Sequence, residues 1–304
     1  MLRRLDGLAL SGRRVVEGTA SGAHRSPIKG ASVEFRQHRA YVPGDEPRKL
    51  DWRVLARTDR PYVREYEQET KLRGMLVLDA SGSMGYGGGA QEAIGKRQDG
   101  ESKFEFAGKV AAALSYLMLS SGESVGISVA GEMIHSAPPA TGTAQLARVI
   151  DLLERSGPAQ GPADLQRTLA EVAQRLGRRS LVMLISDFFA PVEALKRGFA
   201  RLVHGKHEAI ALRILHRHEI EFPFRTWRQF RGLEGERARL VEPAMMRRAY
   251  LEAFQTHQAQ LQRVCGSLGV ELHTMISDEP MVDALLHLLR RRTEKQMQNL
   301  RFQT

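Results

Sequence analysis

The sequence predicts an α/β fold: a mostly parallel sheet with helices on both faces, preceded by an irregular or β N-terminal segment. Three observations lead there. From Leu72 onward, short apolar runs alternate with helical segments of twelve or more residues. The runs MLVLD, ending at Asp79, and LVMLISD, ending at Asp187, lack the alternation of a half-exposed strand, as strands buried on both faces do. The chain has 304 residues, 42% of them hydrophobic, which suffices for one large domain with additions or two small ones.

The first segment, 1–71, is polar and irregular. The main domain, 72–293, then reads as strand 72–79, helix 103–120, strand 124–130, helix 143–155, helix 164–176, strand 180–186, helix 192–204 and strand 208–215. The apolar tract from Ala111 to Ala130 divides into helix, turn and strand because Ser120, Ser121, Gly122 and Glu123 interrupt it. An extended, turn-containing section 219–241 follows, then helix 243–267, strand 270–276 and helix 280–293, and a basic tail 294–304 ends the chain. Between Ser83 and Lys103 lies a Gly-rich, charged stretch that reads as a flexible surface loop. Its Gly87, Gly88 and Gly89 do not make a phosphate loop, since no GKS or GKT follows.

Leu251, Phe254, Leu261, Cys265 and Leu268 recur at helical spacing, so the single cysteine is a core residue. One cysteine forms no internal disulfide and fits a reducing compartment, the cytoplasm. No run of about 18 uncharged apolar residues occurs, so no membrane span is expected. The net charge of +10 divides as +6 over 1–73, zero over 74–287 and +4 over 288–304. Basic ends of this kind suit nucleic acid, anionic lipid or an acidic protein face. Acids such as Glu65, Glu67 and Glu69 interleave with the basic residues, however, and nucleic-acid signatures are missing, so nucleic-acid binding is not expected.

The candidate site is DASGS. Asp79 ends a buried strand and Ser81 and Ser83 follow it, so one carboxylate and two hydroxyls emerge where ligand sites of parallel sheets gather. Such oxygens suit Mg2+ or Mn2+, which keep some water and leave room for a partner's carboxylate. The bland alternative is a turn, because Asp and Ser are common turn and cap residues. Asp187 ends the second buried strand on the same sheet edge and is placed to approach the ion directly or through water; otherwise it caps the helix near Pro191. As an enzyme, the chain would be a serine hydrolase with Ser83 as nucleophile, Asp187 as acid and His216 or His273 as base. A Gly-rich loop stands where the helix of a nucleophile elbow belongs, which disfavours it. His216, Arg217 and His218 read as a solvated strand edge rather than a zinc pair, since no third ligand is placed.

Several stretches together carry a resemblance: EFRQHRAYVPGDEPRKLDWRVLARTDRPYVREYEQE from Glu34 to Glu69, then LDASGSM, LVMLISDFF, HEIEFPFRTWRQFRGLEGE and RRAYLEAFQTHQAQL. In their order and spacing, nearly end to end, the chain resembles the von Willebrand factor type A fold with its metal-ion-dependent adhesion site, and within it the bacterial domain-of-unknown-function family fifty-eight. The resemblance implies that Asp79, Ser81 and Ser83 form the first metal loop and Asp187 the last. In the second loop the family's Thr ligand is replaced by Ala163, which leaves its place to Asp164 beside it or to a water. It further implies a non-enzymatic adaptor or co-chaperone of a MoxR-type AAA+ ATPase, acting on a client protein. The Glu34–Glu69 segment makes physical sense as a clamp on the sheet or as a partner epitope, with a turn at Pro43 and Gly44 and ion pairs of Asp51 with Arg48 or Arg57 about Trp52.

Overall fold

A computed structural model describes residues 33–42, 45, 50–68, 72–88, 100–177, 179–230, 232–235 and 239–301. They fall in two units, one within Gly18–Lys71 and one from Leu72 onward. Pro43, Gly44, Arg48 and Gly89 and most of the Gly-rich loop lie outside the described residues.

In the first unit, β1 (Val33–Ala40) pairs antiparallel with β2 (Tyr62–Gln68), with a bulge between Phe35 and Gln37. Between them runs α1 (Trp52–Thr58). Its N-cap is Asp51, whose carboxylate accepts from Arg53 N at 3.0 Å and Val54 N at 3.3 Å, satisfying two of the free amides of the first turn. Trp52 is 64% exposed. Arg39 and Asp45 form a two-pronged ion pair at 2.8 and 2.9 Å.

The second unit is the expected α/β layer structure. Its strands are β3 (Arg73–Asp79), β4 (Ser124–Ala130), β5 (Ile134–Ala140), β6 (Leu181–Ser186), β7 (Glu208–Leu215) and β10 (Glu271–Ile276), with a separate hairpin of β8 (Arg228–Phe230) and β9 (Arg239–Val241). The sheet order is β10-β7-β6-β3-β4-β5, parallel except for β5. The helices are α2 (Lys103–Ser120), α3 (Thr143–Arg155), α4 (Leu165–Arg175), α5 (Val192–His204), α6 (Arg217–Glu221), α7 (Pro243–Leu268) and α8 (Met281–Arg301).

Period-two geometry sorts the strand side chains between two cores. Leu76, Leu78, Ile127, Met183, Ile185, Leu212 and Ile214 face α2, α3 and α8, meeting Phe106, Val110, Val149 and Leu285. Met75, Val77, Val182, Leu184 and Ala211 face α4, α5 and α7, meeting Leu169, Phe199, Leu261 and Cys265. Both faces are apolar because both are covered, which is why the strands read as continuous apolar runs.

Four local features differ from the sequence expectation. IHSAPPA forms edge strand β5, where Pro138 and Pro139 are tolerated because an edge leaves some ladder donors unused. Residues 216–218 are not a strand edge: β7 stops at Leu215 and a capping box of His216 with Glu219 starts α6, which runs to Glu221, into the section read as extended. His216 is buried rather than solvated. The last helix continues to Arg301, through a stretch without Gly or Pro that was assigned to the tail.

Candidate functional site

The parallel strands deliver their C-terminal residues to one edge of the sheet. Asp79 ends β3 and is buried; its Oδ1 accepts from Ser81 N at 2.8 Å and its Oδ2 from the Ser186 hydroxyl, at the end of β6, at 2.5 Å. Ser186 in turn accepts from Phe188 N at 2.9 Å. Phe188 holds φ at 59°, a conformation rare for a bulky residue, and is fixed by burial against Phe199 and by its carbonyl's 2.7 Å hydrogen bond with His257 Nε2. Past Asp79 the chain makes a single 3-10 turn, Gly82–Gly85, with Ser81 Oγ and Ser83 Oγ 3.1 Å apart.

The second loop is pinned beside the first by two backbone hydrogen bonds, Gly82 N to Gly161 O at 3.0 Å and Ala159 N to Ala80 O at 2.7 Å. Among the described residues, its side chains make no hydrogen bond to Asp79, Ser81 or Ser83. Ala163 packs on the second core, and Asp164 is exposed, its Oδ1 capping α4 through Arg167 N at 2.9 Å. Gly82 is fixed by close approach: a Cβ there would lie 1.9 Å from the Leu233 carbonyl oxygen and 3.2 Å from that of Ala159. Gly82→Ala must therefore push backbone apart, and we expect a loss of about 1–3 kcal/mol in urea unfolding, with faster amide exchange in residues 232–235.

Asp187 is committed elsewhere. Its Oδ2 accepts from Lys103 Nζ at 2.8 Å and its Oδ1 from Phe189 N at 3.1 Å. The fully buried Lys103 also donates to Glu219 Oε1 at 2.6 Å and lies 5.0 Å from the Phe189 ring centroid. Burial alone would lower the Lys103 pKa, but Asp187 and Glu219 outweigh it and hold the ammonium charged, above its usual value. Glu219 Oε2 accepts from His216 N at 2.8 Å. Arg213, buried on β7 opposite Ser186, stands in the field of Asp187 and Glu219; its Nε and Nη2 have no hydrogen-bond partner among the described residues.

Lys103 and Glu219 were missed in the sequence. One signal was there: Lys103 is three, four and seven residues before Phe106, Ala107 and Val110, on the apolar stripe of α2. It is also a cation at a helix N-terminus, where the dipole disfavours it unless acids lie close.

Lys103 thus pairs with both Asp187 and Glu219, Arg213 stands in their field, and Asp79 is left over. It has no ion pair among the described residues. Burial first, and the charge of Asp187 second, push its carboxyl up to about 6. A buried, unneutralised carboxylate beside two hydroxyls fits a small hard cation such as Mg2+ or Mn2+, held by few protein oxygens. The other proposed chemistries find less. Ser83 hydrogen-bonds Ser81 and no histidine among the described residues. Among the same residues, no group of three His, Cys, Asp or Glu side chains is arranged to hold an ion. The Cys265 thiol is buried, which pushes it up to about 11.

Residues 37–260 match the model of the family described as "Protein of unknown function DUF58". The chain is similar to two mycobacterial proteins, "Uncharacterized protein Rv1480" of Mycobacterium tuberculosis and "Uncharacterized protein Mb1516" of Mycobacterium bovis. Each is 27% identical over 277 residues, covering 89% of this chain and 83% of the relative. Among solved structures, conserved hypothetical protein BatB from Bacteroides thetaiotaomicron shares 12% identity over 75% of this chain and 98% of its own, with TM-score 0.44. The SpRpn10 VWA domain shares 11% over 71% of this chain and 94% of its own, with TM-score 0.39.

Proposed function

For a chain that belongs to the family Protein of unknown function DUF58, we propose a von Willebrand factor A-like, non-enzymatic protein-binding module that engages its partner at the Asp79 edge of the sheet. The observation that supports this reading is the leftover buried carboxylate of Asp79, set beside the Ser81 and Ser83 hydroxyls where the strands end. When bound, Mg2+ or Mn2+ supplies a positive charge with exchangeable positions for a partner's Asp or Glu. Asp79, Ser81 and Ser83 hold it; Ser186 and the Ser81 amide orient the Asp79 carboxylate. Asp187 contributes charge balance through Lys103 rather than a free oxygen.

The finer reading follows the resemblance: the partner is a MoxR-type AAA+ ATPase, the site of action is the cytoplasm, and the pair acts on a client protein. No helix among the described residues is long and apolar enough to cross a membrane. Calorimetric titration with MnCl2 tests the site: we expect saturable heat from the wild type and none from Asp79→Ala, and equal heats would refute it. The partner is tested by affinity capture from native lysate with and without chelator. Recovery of an AAA+ ATPase only with the ion present supports the assignment, and recovery indifferent to both chelator and Asp79→Ala counts against it.

A further inference from the structure

We propose that Lys103 sets the ion affinity of the Asp79 site by withholding Asp187 from it. The inference rests on the reading of Asp79, Ser81 and Ser83 as a cation site, and adds a residue outside that set.

Asp187 follows Ser186, whose hydroxyl is hydrogen-bonded to Asp79, so its backbone is held next to the site. Its charge reaches Asp79, where it is the second cause of the raised carboxyl pKa. Yet each Asp187 oxygen faces a donor that belongs to the protein, Lys103 Nζ at 2.8 Å and Phe189 N at 3.1 Å. Lys103 is itself firmly placed. It is fully buried, its second hydrogen bond goes to Glu219 at 2.6 Å, and the Phe189 ring lies alongside. Its backbone N donates to Tyr86 O at 2.9 Å, and the Ser102–Glu105 capping box fixes the turn that carries it.

An internal ammonium so placed removes one carboxylate from the supply of ligands. Carboxylate count is a main determinant of affinity in oxygen-ligand sites. With Lys103 present, the ion meets one charged protein ligand and keeps its remaining positions for water and a partner. Without Lys103, the Asp187 side chain is released within reach of the same edge.

Four proteins decide the matter by Mn2+ binding, read by electron paramagnetic resonance: wild type, Lys103→Met, Lys103→Met/Glu219→Gln and Lys103→Met/Asp187→Asn. The two double variants have equal net charge and differ in whether Asp187 remains. Lys103→Met and Lys103→Met/Glu219→Gln are expected to bind Mn2+ roughly tenfold or more tightly than wild type. Lys103→Met/Asp187→Asn should return to within about threefold of it. Should Lys103→Met fail to fold, the two charge-balanced doubles carry the comparison.

If the wild type binds and the variants that keep Asp187 bind no tighter, or if both doubles behave alike, the role of Lys103 is refuted while the cation site stands. If no protein of the four binds Mn2+, both readings fall.

Discussion

Lys103→Met is expected to destabilise the ion-free protein by about 3–5 kcal/mol, because it leaves the buried Asp187 and Glu219 carboxylates without their shared cation. Removing one partner of a buried charge group is far more damaging than replacing the whole group, since the desolvation of the remaining charges goes uncompensated. The triple variant Lys103→Met/Asp187→Asn/Glu219→Gln should therefore recover part of the loss. The new amide oxygens still accept from Phe189 N and His216 N, and the one buried charge left in the group is Arg213, which loses the two carboxylates in whose field it stands. Urea unfolding at pH 7.5 checks both, with the midpoint shifting and the slope unchanged. A single-variant loss below about 1 kcal/mol would mean that water reaches the group and that its burial is not dry.

The same triad shows where the sequence stops being legible. Both long apolar strands, their terminal Asp79 and Asp187, and the DASGS turn follow from patterning alone, because burial on two faces and strand-end geometry are local properties. The pairing of Lys103 with Asp187 and Glu219 joins residues 84 and 116 positions apart, and nothing in their spacing encodes it. Glu219 was further hidden by the misreading of 216–218 as a strand edge. His216 is an unusual cap, so the box that starts α6 does not look like one. Edge strand β5 was masked in another way: two prolines argue against a strand unless its place at the edge is already known. Asp164 does follow Ala163 in the second loop, and there the free amide of Arg167 donates to its Oδ1, a capping role that the sequence position alone does not reveal.

Asp79→Asn should stabilise the ion-free protein at neutral pH while abolishing ion binding. The Asp79 carboxyl is raised from 3.8 to about 6 by burial and by Asp187. Its folded pKa exceeds the unfolded one, so the folded state binds the proton more tightly, and stability falls as pH rises from about 4 through about 6. At 1.36 kcal/mol per unit, the penalty is roughly 3 kcal/mol once both states are ionised. Asn removes that charge but obliges the Ser186 hydroxyl, which now donates to Asp79, to find another acceptor, at about 1 kcal/mol. The net gain at pH 7.5 is then about 1–2 kcal/mol, vanishing at about pH 4.5 and reversing below it. Added Mg2+ should raise the midpoint of the wild type and leave Asp79→Asn unmoved, because only a state that binds the ion is stabilised by it. A variant less stable than wild type at pH 7.5, or one equally stabilised by Mg2+, would show that Asp79 holds the turn together rather than awaiting a cation. A buried carboxylate that weakens its own fold is understandable where the missing counter-charge arrives from outside, and the pH profile separates that case from an ordinary cap.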